Sequence, residues 1–573
     1  MKITRRPLPG NTHKLPSDLH PVLQRIYQAR GIHAAEDLEQ NLRRLIPADQ
    51  LQGIEEAALL LQRMLEQDGH ILILGDYDCD GATSTALAML ALRAFGGRRL
   101  SYLVPNRFEY GYGLTVEIVD LAARQHPDLI VTVDNGIASL AGVERANALE
   151  IPVLVTDHHL PAAQLPAAAV IVNPNQPDDA FPSKNLAGVG VIFYVLAALR
   201  SRLRASGWFE TNGLTEPNMS EWLDLVALGT VADLVPLDHN NRILVEQGLR
   251  RIRAGRCRPG IQALLEQSGR SLHRVVAADM GFAVGPRLNA AGRLEDMGVG
   301  IECLLTEDDV TARQLAQELD RLNRTRREIE QEMKEQAMEA LQRLHLEAAR
   351  ELPAGLCLYR EAWHQGVIGI LASRIREQYH RPVIAFADGG NGMLKGSARS
   401  IPGLHMRDLL DLIASRHSGL LERFGGHAMA AGLSLREENF AAFKQAFEQA
   451  AARQLDSAAL EGKLFSDGAL QPEELGLELA QQLRFGGPWG QGFPEPLFDG
   501  RFRVAHQRVV GERHLKLRLN PLGSDVSIEA IAFNQAEPGV LPEQVHLAYR
   551  LDVNEFRGLI QPQLIVETIQ STN

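Results

Sequence analysis

Cysteine is scarce, aromatic residues make up only 5% of the chain, positive charge is in the minority, and apolar runs are short. Each scarcity closes off a class of protein. The four cysteines, Cys79, Cys257, Cys303 and Cys357, stand far apart without C-x-x-C spacing. Neither a disulfide framework nor a thiolate zinc site is expected, and a reducing, cytoplasmic setting fits. The longest uncharged apolar stretch, Val189 to Leu199, falls well short of the roughly 18 to 20 residues of a membrane span, so no membrane partner is expected. The start, MKITRRPLPG, is basic but no apolar h-region follows, which argues against a signal peptide. A formal net charge of −12 argues against generic coating of DNA and leaves room only for a local basic cleft.

What remains is a long soluble chain whose 573 residues allow three or four domains. From residue 70 to 200, short apolar runs (ILIL, LSYLVP, DLIVTV, IPVLVT, AAVIVN) alternate with helical stretches, the pattern of a parallel sheet with crossover helices. The following hundred residues read as mostly helical. Residues 307–350 contain neither Gly nor Pro and place Leu315, Leu319, Leu322, Ile329 and Met333 at helical steps. That predicts one helix of about 60 Å at roughly 1.5 Å per residue. A self-associating coiled coil competes with this reading, but Arg326 interrupts its seam, and a strut joining two lobes is preferred. Residues 351–455 read as a second, smaller α/β domain. From 456 to 573 short strands separated by Gly and Pro favour a small closed β barrel of the OB type. The expected fold class is therefore α/β, with residues 1–50 as an N-terminal helical segment, 51–306 as the parallel-sheet domain and 307–350 as the connecting helix.

The chemistry concentrates at strand ends. Three aspartates, Asp76, Asp78 and Asp80, alternate in GDYDCDG directly after ILIL. D-x-D-x-D-G also opens an EF-hand loop, but the twelfth position, which needs a bidentate Glu, is Leu87, and a strand precedes it where a helix is required. A P-loop fails for want of G-K-[ST]. Asp134 follows LIVTV, and Asp157, His158 and His159 follow VLVT. Ligands of open parallel sheets bind beyond the carboxyl ends of the strands, so these termini converge on one crevice. Asp233, in the apolar LGTVADLVPL, is a fourth acidic candidate, because an unpaired carboxylate would be costly there. Carboxylates with one or two imidazoles suit Mn(II) or Mg(II) better than structural zinc. So many carboxylates exceed the needs of one ion; two divalent ions sharing a bridging carboxylate, about 3.5–4 Å apart, hydrolyse phosphodiesters. An Asp ending a strand is often only a helix N-cap, but four such coincidences in one sheet favour a site.

GDYDCDGATS, VTVDNG, TDHH and GTVADLVPL resemble the four motifs of the DHH phosphoesterase superfamily, and in wording its single-stranded-DNA-specific exonuclease branch. GFAVGPRLNAAGRL, WHQGVIGILASRI, KGSARS, FGGHAMAAG and GPWGQGFPEPLF extend the resemblance, in order, over nearly the whole chain. It implies a DHH domain, a connecting helix, a DHH-associated domain and a terminal OB fold. It implies Asp78 as a ligand of a first metal, Asp80 of a second, Asp134 as the bridge, His158 and Asp233 as further ligands of the second, and His159 as the histidine that contacts the scissile phosphate. Asp76 serves where many members carry a histidine at the position of Leu74. Cys79 occupies a place usually held by a small apolar residue and is not expected to ligate. In the second lobe, Ser397 and Arg399 with Gly426 and His427 are expected to hold substrate phosphate, joined by Arg287 and Asn289, and by Arg107 as a clamp. Phe108, Tyr110, Tyr112, Phe485, Trp489, Phe493 and Phe498 are candidate base-stacking residues, with barrel core and lobe packing as the competing reading for Trp489 and Phe498. The resemblance implies a metal-dependent exonuclease that releases mononucleotides from the 5′ end of single-stranded DNA in repair and recombination. It is expected to act as a monomer, alongside a single-stranded-DNA-binding protein and a RecQ-type helicase. A DHH phosphodiesterase acting on short oligonucleotides and a non-catalytic DNA-binding scaffold are the alternatives.

Overall fold

The computed structural model describes residues 2–8, 15–105, 113–348, 352–456, 459–536, 540–556 and 558–571. Arg107, Phe108, Tyr110 and Tyr112 therefore lie outside the described residues. Two compact units divide the chain: Arg5–Asp320 with Phe465–Asn573, and Met1–Thr4 with Arg321–Leu464.

The first unit is built on five strands, β1 (Ile71–Leu74), β2 (Leu100–Leu103), β3 (Leu129–Val133), β4 (Val153–Thr156) and β5 (Val170–Val172). They pair in parallel throughout, in the order β2-β1-β3-β4-β5. Every residue of β1, β3 and β4 is buried, which is why these segments read as continuous apolar runs and not as alternating ones. The chain leaves β1 for one side of the sheet and returns to β3 on the other. Their carboxyl ends thus flank the point where strand order reverses, where such sheets open a crevice. The Cys79–Ala94 helix starts at once after β1 because the Asp78 side chain caps it, accepting from the N–H groups of Asp80 and Gly81. It is buried from Cys79 to Leu92, so its Ala- and Leu-rich composition has no polar stripe.

The barrel belongs to the same unit. Its strands run in spatial order Phe498–Val510, His514–Pro521, Ile528–Ala532, Leu559–Ser571 and Gln544–Phe556, closing on the first. Only the Ile528–Ala532 and Leu559–Ser571 pair is parallel. This is the OB arrangement. Residues that precede the barrel knit it to the N-terminal helix Pro21–Gln28 and to the rest of the unit. Arg30 makes two bonds to the Asp467 carboxylate at 2.8 and 2.9 Å. Trp489 stacks on Phe493 with 5.0 Å between centroids, both rings face Tyr27, and the Arg242 guanidinium lies 4.4 Å from the Phe493 centroid. Phe498 is fully buried in the barrel. Phe493 and Phe498 are thus packing residues, and Trp489 is held by its neighbours and by a bond from Nε1 to Leu483 O; of the four, Phe485 is the one substantially exposed.

In the second unit, five strands lie in the order Arg423–Gly426, Ala430–Arg436, Met393–Arg399, Val383–Gly390 and Leu356–Tyr359, antiparallel except for the last pair. Helices cover both faces: Phe443 and Phe447 of the Phe440–Gln454 helix pack on Phe386 and Leu394, while Leu371 and Ile375 of Ile368–Tyr379 pack on Val383 and Ala385. The long helix runs from Asp309 to Ala348, 40 residues. Its Met333, Ala337 and Leu341 join a core with Trp363 and Leu371, so that stretch of the seam is spent within the chain. Arg326, the apparent interruption, is buried with its charge met by Glu330 at 2.7 Å and by Asn323 Oδ1 at 2.9 Å.

Candidate metal centre

At the end of β1 the chain turns so that Asp76, Asp78 and Asp80 face the crevice. Asp76 Oδ1 accepts from Tyr77 N at 2.7 Å, and Asp78 Oδ1 accepts from Asp80 N and Gly81 N at 2.9 and 3.0 Å. Both Asp80 oxygens receive backbone N–H groups from the first turn of the Gly188–Ala205 helix, Gly188 at 2.6 Å and Val189 at 3.0 Å. That helix end carries partial positive charge and holds the carboxylate in place. Asp134 ends β3 with a φ of +62°, a left-handed conformation that Asp tolerates better than most residues. His158 follows β4, and Asp233 closes the Leu223–Ala232 helix.

These side chains meet. His158 Nε2 lies 3.1 Å from Asp134 Oδ1, 3.5 Å from Asp233 Oδ2 and 4.0 Å from Asp80 Oδ2. Ligand atoms of Asp76, Asp78 and Asp134 fall within 4.8 Å of one another, as do those of Asp80, His158 and Asp233, and those of Asp134, His158 and His159. Asp134 and His158 each belong to two of the three sets, so the sets interlock. Burial followed by the charge of Asp78 raises the Asp80 carboxyl to about 7. Burial and the neighbouring aspartates push Asp134 and Asp233 well above the usual carboxylate range. Two like charges about 4 Å apart repel by about 4 kcal/mol at an effective dielectric of 20. Such a cluster is stable when protonated or when cations sit among the oxygens, and carboxylates with one imidazole are the donor set for Mn(II) or Mg(II). The residues present therefore fit a pair of divalent ions: Asp76, Asp78 and Asp134 would hold one, and Asp80, His158 and Asp233 the other.

Asp157, a ligand candidate on sequence, has another use. Its carboxylate accepts from the backbone N–H groups of His158, His159 and Ile137 at 2.7, 3.1 and 2.9 Å, and from His159 Nδ1 at 2.8 Å. It belongs to none of the three ligand sets. Burial alone would lower His159, but the bond to Asp157 and the surrounding aspartates outweigh it and raise the imidazole to about 9. The ring is thus oriented with Nδ1 towards Asp157.

Two glycines that composition cannot single out are part of the site. A Cβ on Gly188 would stand 2.6 Å from Asp134 Cβ, and one on Gly229 would stand 2.8 Å from Asp80 Oδ1 and 2.3 Å from Thr83 Oγ1. The one available sequence signal was Gly229 inside an otherwise helical run, which costs about 1 kcal/mol and asks for a packing reason.

The remaining candidates divide. Arg287 is buried, donating to Asp320 Oδ1 from Nε at 2.9 Å and to Ala283 O at 2.6 Å. Asn289 Oδ1 accepts from Cys79 N at 2.7 Å. Both side chains are engaged by the protein's own groups in place of the substrate phosphate expected for them. In the second unit, Lys395, Ser397 and Arg399 share one face of their strand while Leu394, Gly396 and Ala398 are buried. Arg399 Nη1 donates to Ser397 Oγ at 3.1 Å. Both side chains abut the first turn of the Ile368–Tyr379 helix, where a Cβ on Gly369 would meet Arg399 Nη2 and Ser397 Oγ at 3.0 Å. Strand register sets Ala430 opposite Arg399, and His427 N donates to Ala430 O at 2.8 Å. Gly426 takes a φ of +139°, with Ala430 O only 2.5 Å from where a Cβ would be. A guanidinium beside a helix N-terminus is mutually unfavourable until an anion enters between them.

The DHH family N-terminal domain matches residues 70–230, the DHHA1 domain residues 353–453 and the RecJ OB domain residues 466–568. The single-stranded-DNA-specific exonuclease RecJ of Dickeya dadantii is 56% identical over 99% of this chain and 98% of its own length; that of Escherichia coli is 54% identical over the same shares. The crystal structure of Thermus thermophilus RecJ in complex with Mn2+ superposes with a TM-score of 0.79 at 33% identity, covering 97% of this chain and 76% of that one; its Mg2+ complex gives 0.74. The catalytic region is thus that of a DHH-family protein. With identity this high over almost the entire length, the chain belongs to the RecJ family of single-stranded-DNA-specific exonucleases.

Proposed function

We propose that this protein is a metal-dependent exonuclease that degrades single-stranded DNA from its 5′ end, releasing mononucleotides during DNA repair and recombination. The observation that carries the reading is the interlocking of ligand sets through Asp134 and His158 at the sheet's switch point. Bound there, two Mn(II) or Mg(II) ions would lower the pKa of the attacking water and neutralise charge building on phosphorus. The chain's own groups supply the rest. Asp134 joins the two halves of the site, while Gly188 and Val189 N–H fix Asp80. His159, oriented by Asp157, offers a proton from Nε2 to an oxygen of the scissile phosphate, and so stabilises charge that grows in the transition state. Ser397, Arg399, Gly426 and His427 form the phosphate-holding surface of the second unit. A hollow on the barrel lined by His506, Arg508, Lys516 and Arg518, the last two paired with Glu529, adds surface that suits a polymer better than a dinucleotide.

The same reading makes the enzyme a cytoplasmic monomer that works with a single-stranded-DNA-binding protein and a RecQ-type helicase; sedimentation of the purified chain alone and with each partner tests this. Among the described residues no helix is long and apolar enough to cross a membrane. The central test uses 5′- and 3′-labelled single strands, duplex and dinucleotides with Mn(II). Label is expected first as 5′-terminal mononucleotide from single strands. Asp134→Ala is expected to abolish turnover while single-strand binding persists. Parent-rate degradation by that variant would remove the site assignment, and release from the 3′ end alone would remove the polarity.

A further inference from the structure

The motif GPRLNAAGR lies on the Gly285–Leu294 helix, next to a π-helical turn at Met280–Val284. Two of its residues grip the backbone of the aspartate corner from one side. Asn289 Oδ1 accepts from Cys79 N at 2.7 Å. Cys79 is the first residue of its helix, and a first-turn N–H has no intrahelical acceptor, so Asn289 meets a donor that the helix itself cannot. Three residues further on, Gly292 lies against the carbonyl of Tyr77: a Cβ there would sit 1.8 Å from Tyr77 O. The contacted backbone groups, Tyr77 O and Cys79 N, flank Asp78 and separate it from Asp76 and Asp80. The helix is itself anchored, since the Arg287 guanidinium is spent on Asp320 at 2.8 Å and on Ala283 O.

We infer that Asn289 is a positioning residue for the metal centre, and that the Gly285–Leu294 helix is a brace that sets the spacing of Asp76, Asp78 and Asp80 before any ion or DNA arrives. The inference rests on the metal-centre reading above. Asn289 touches neither ion nor substrate and acts through the Cys79 amide. Partners that orient metal ligands typically change affinity by about 10- to 100-fold when removed, and that range is the expected effect.

The experiment measures Mn(II) binding to the full chain by calorimetry, and single-strand binding in EDTA, for the parent, Asn289→Ala and Asn289→Asp. Asn289→Ala is expected to weaken Mn(II) binding about 10- to 100-fold and leave single-strand affinity at the parent value. Asn289→Asp keeps the acceptor oxygen and is expected to restore Mn(II) binding. Unchanged Mn(II) affinity in Asn289→Ala, or a loss confined to DNA affinity, would overturn the inference and return Asn289 to the substrate. Amide exchange in the metal-free parent gives a reading that needs no variant: Cys79 N–H is expected to be protected, and free exchange there would refute the brace even if Asn289→Ala does not fold. A parent that binds no Mn(II) would instead sink the metal-centre reading, which separates the two failures.

Discussion

Gly188→Ala adds one methyl group at the first position of a helix whose backbone accepts alanine without strain, since Gly188 lies outside the left-handed region. Helix propensity favours the change by up to about 1 kcal/mol. The new Cβ, however, would lie 2.6 Å from Asp134 Cβ, 2.8 Å from Oδ1 and 2.9 Å from Cα. Two of these atoms cannot swing aside by a side-chain rotation beyond Cβ, so Asp134 or the helix start must retreat by about 0.8 Å to reach ordinary contact. Overpacking of that kind costs about 1–3 kcal/mol, an amount the propensity gain partly offsets, so the unfolding midpoint should stay near the parent's. A displacement approaching 1 Å in a catalytic site costs on the order of 100-fold in rate. Because Asp134 belongs to two ligand sets, Mn(II) affinity should fall with the rate. Steady-state release of mononucleotide, Mn(II) calorimetry and thermal unfolding on the same preparation read all three quantities. A folded Gly188→Ala protein with parent turnover and parent Mn(II) affinity would refute the argument that this glycine exists to make room for Asp134.

Other expectations follow from the same geometry. Arg30→Ala leaves the buried Asp467 carboxylate without its two-bond partner and should destabilise by about 3–5 kcal/mol, with Arg6 at 3.6 Å limiting the loss; urea unfolding of the full chain measures it. Burial would raise the Asp499 carboxyl, but Arg5, Ser466 and His546 outweigh it and hold it below the usual range. Its stabilising contribution is therefore complete above about pH 4 and lost as pH falls further, and Asp499→Asn should flatten the acid limb of the stability–pH curve. Mn(II) at about 100 times its dissociation constant should stabilise the parent by about 2.7 kcal/mol, visible as a rise in melting temperature that EDTA reverses and that Asp134→Ala lacks.

Chain order made the metal centre legible because three of its corners sit where an apolar strand stops, and a parallel sheet brings those stops together whatever the intervening sequence. The barrel was legible from strand count, and the long helix from its unbroken 307–350 run. What escaped reading is what depends on a partner far away. Arg287 sits in a motif with Asn289 and reads as a phosphate ligand; its carboxylate, Asp320, comes 33 residues later on a different helix. The partner of Asn289 is 210 residues away, and is a backbone N–H that leaves no mark in a sequence. Gly188 matters through atoms it does not have. Trp489 and Phe493 look like stacking platforms until Tyr27 and Arg242, from distant segments, fill their faces.

Even within the four corners, residue type did not fix the role. Eight ionisable side chains, six aspartates and two histidines, crowd one crevice, and they differ in the protein donors that hold them. The Asp157 carboxylate accepts four N–H groups, three of them from the main chain, and is thereby converted into a frame that orients His159. Asp76 Oδ1 accepts from Tyr77 N, and Asp78 Oδ1 accepts from Asp80 N and Gly81 N. Asp80 accepts two, one per oxygen, from a helix start that fixes it without exhausting either atom. Three of the four donors fall on Oδ1 and one on Oδ2, so the Asp157 carboxylate is engaged at both oxygens. Those donors, set by where β4 ends and where the next two amides point, are what make the aspartate of a D-H-H sequence a positioning group for His159.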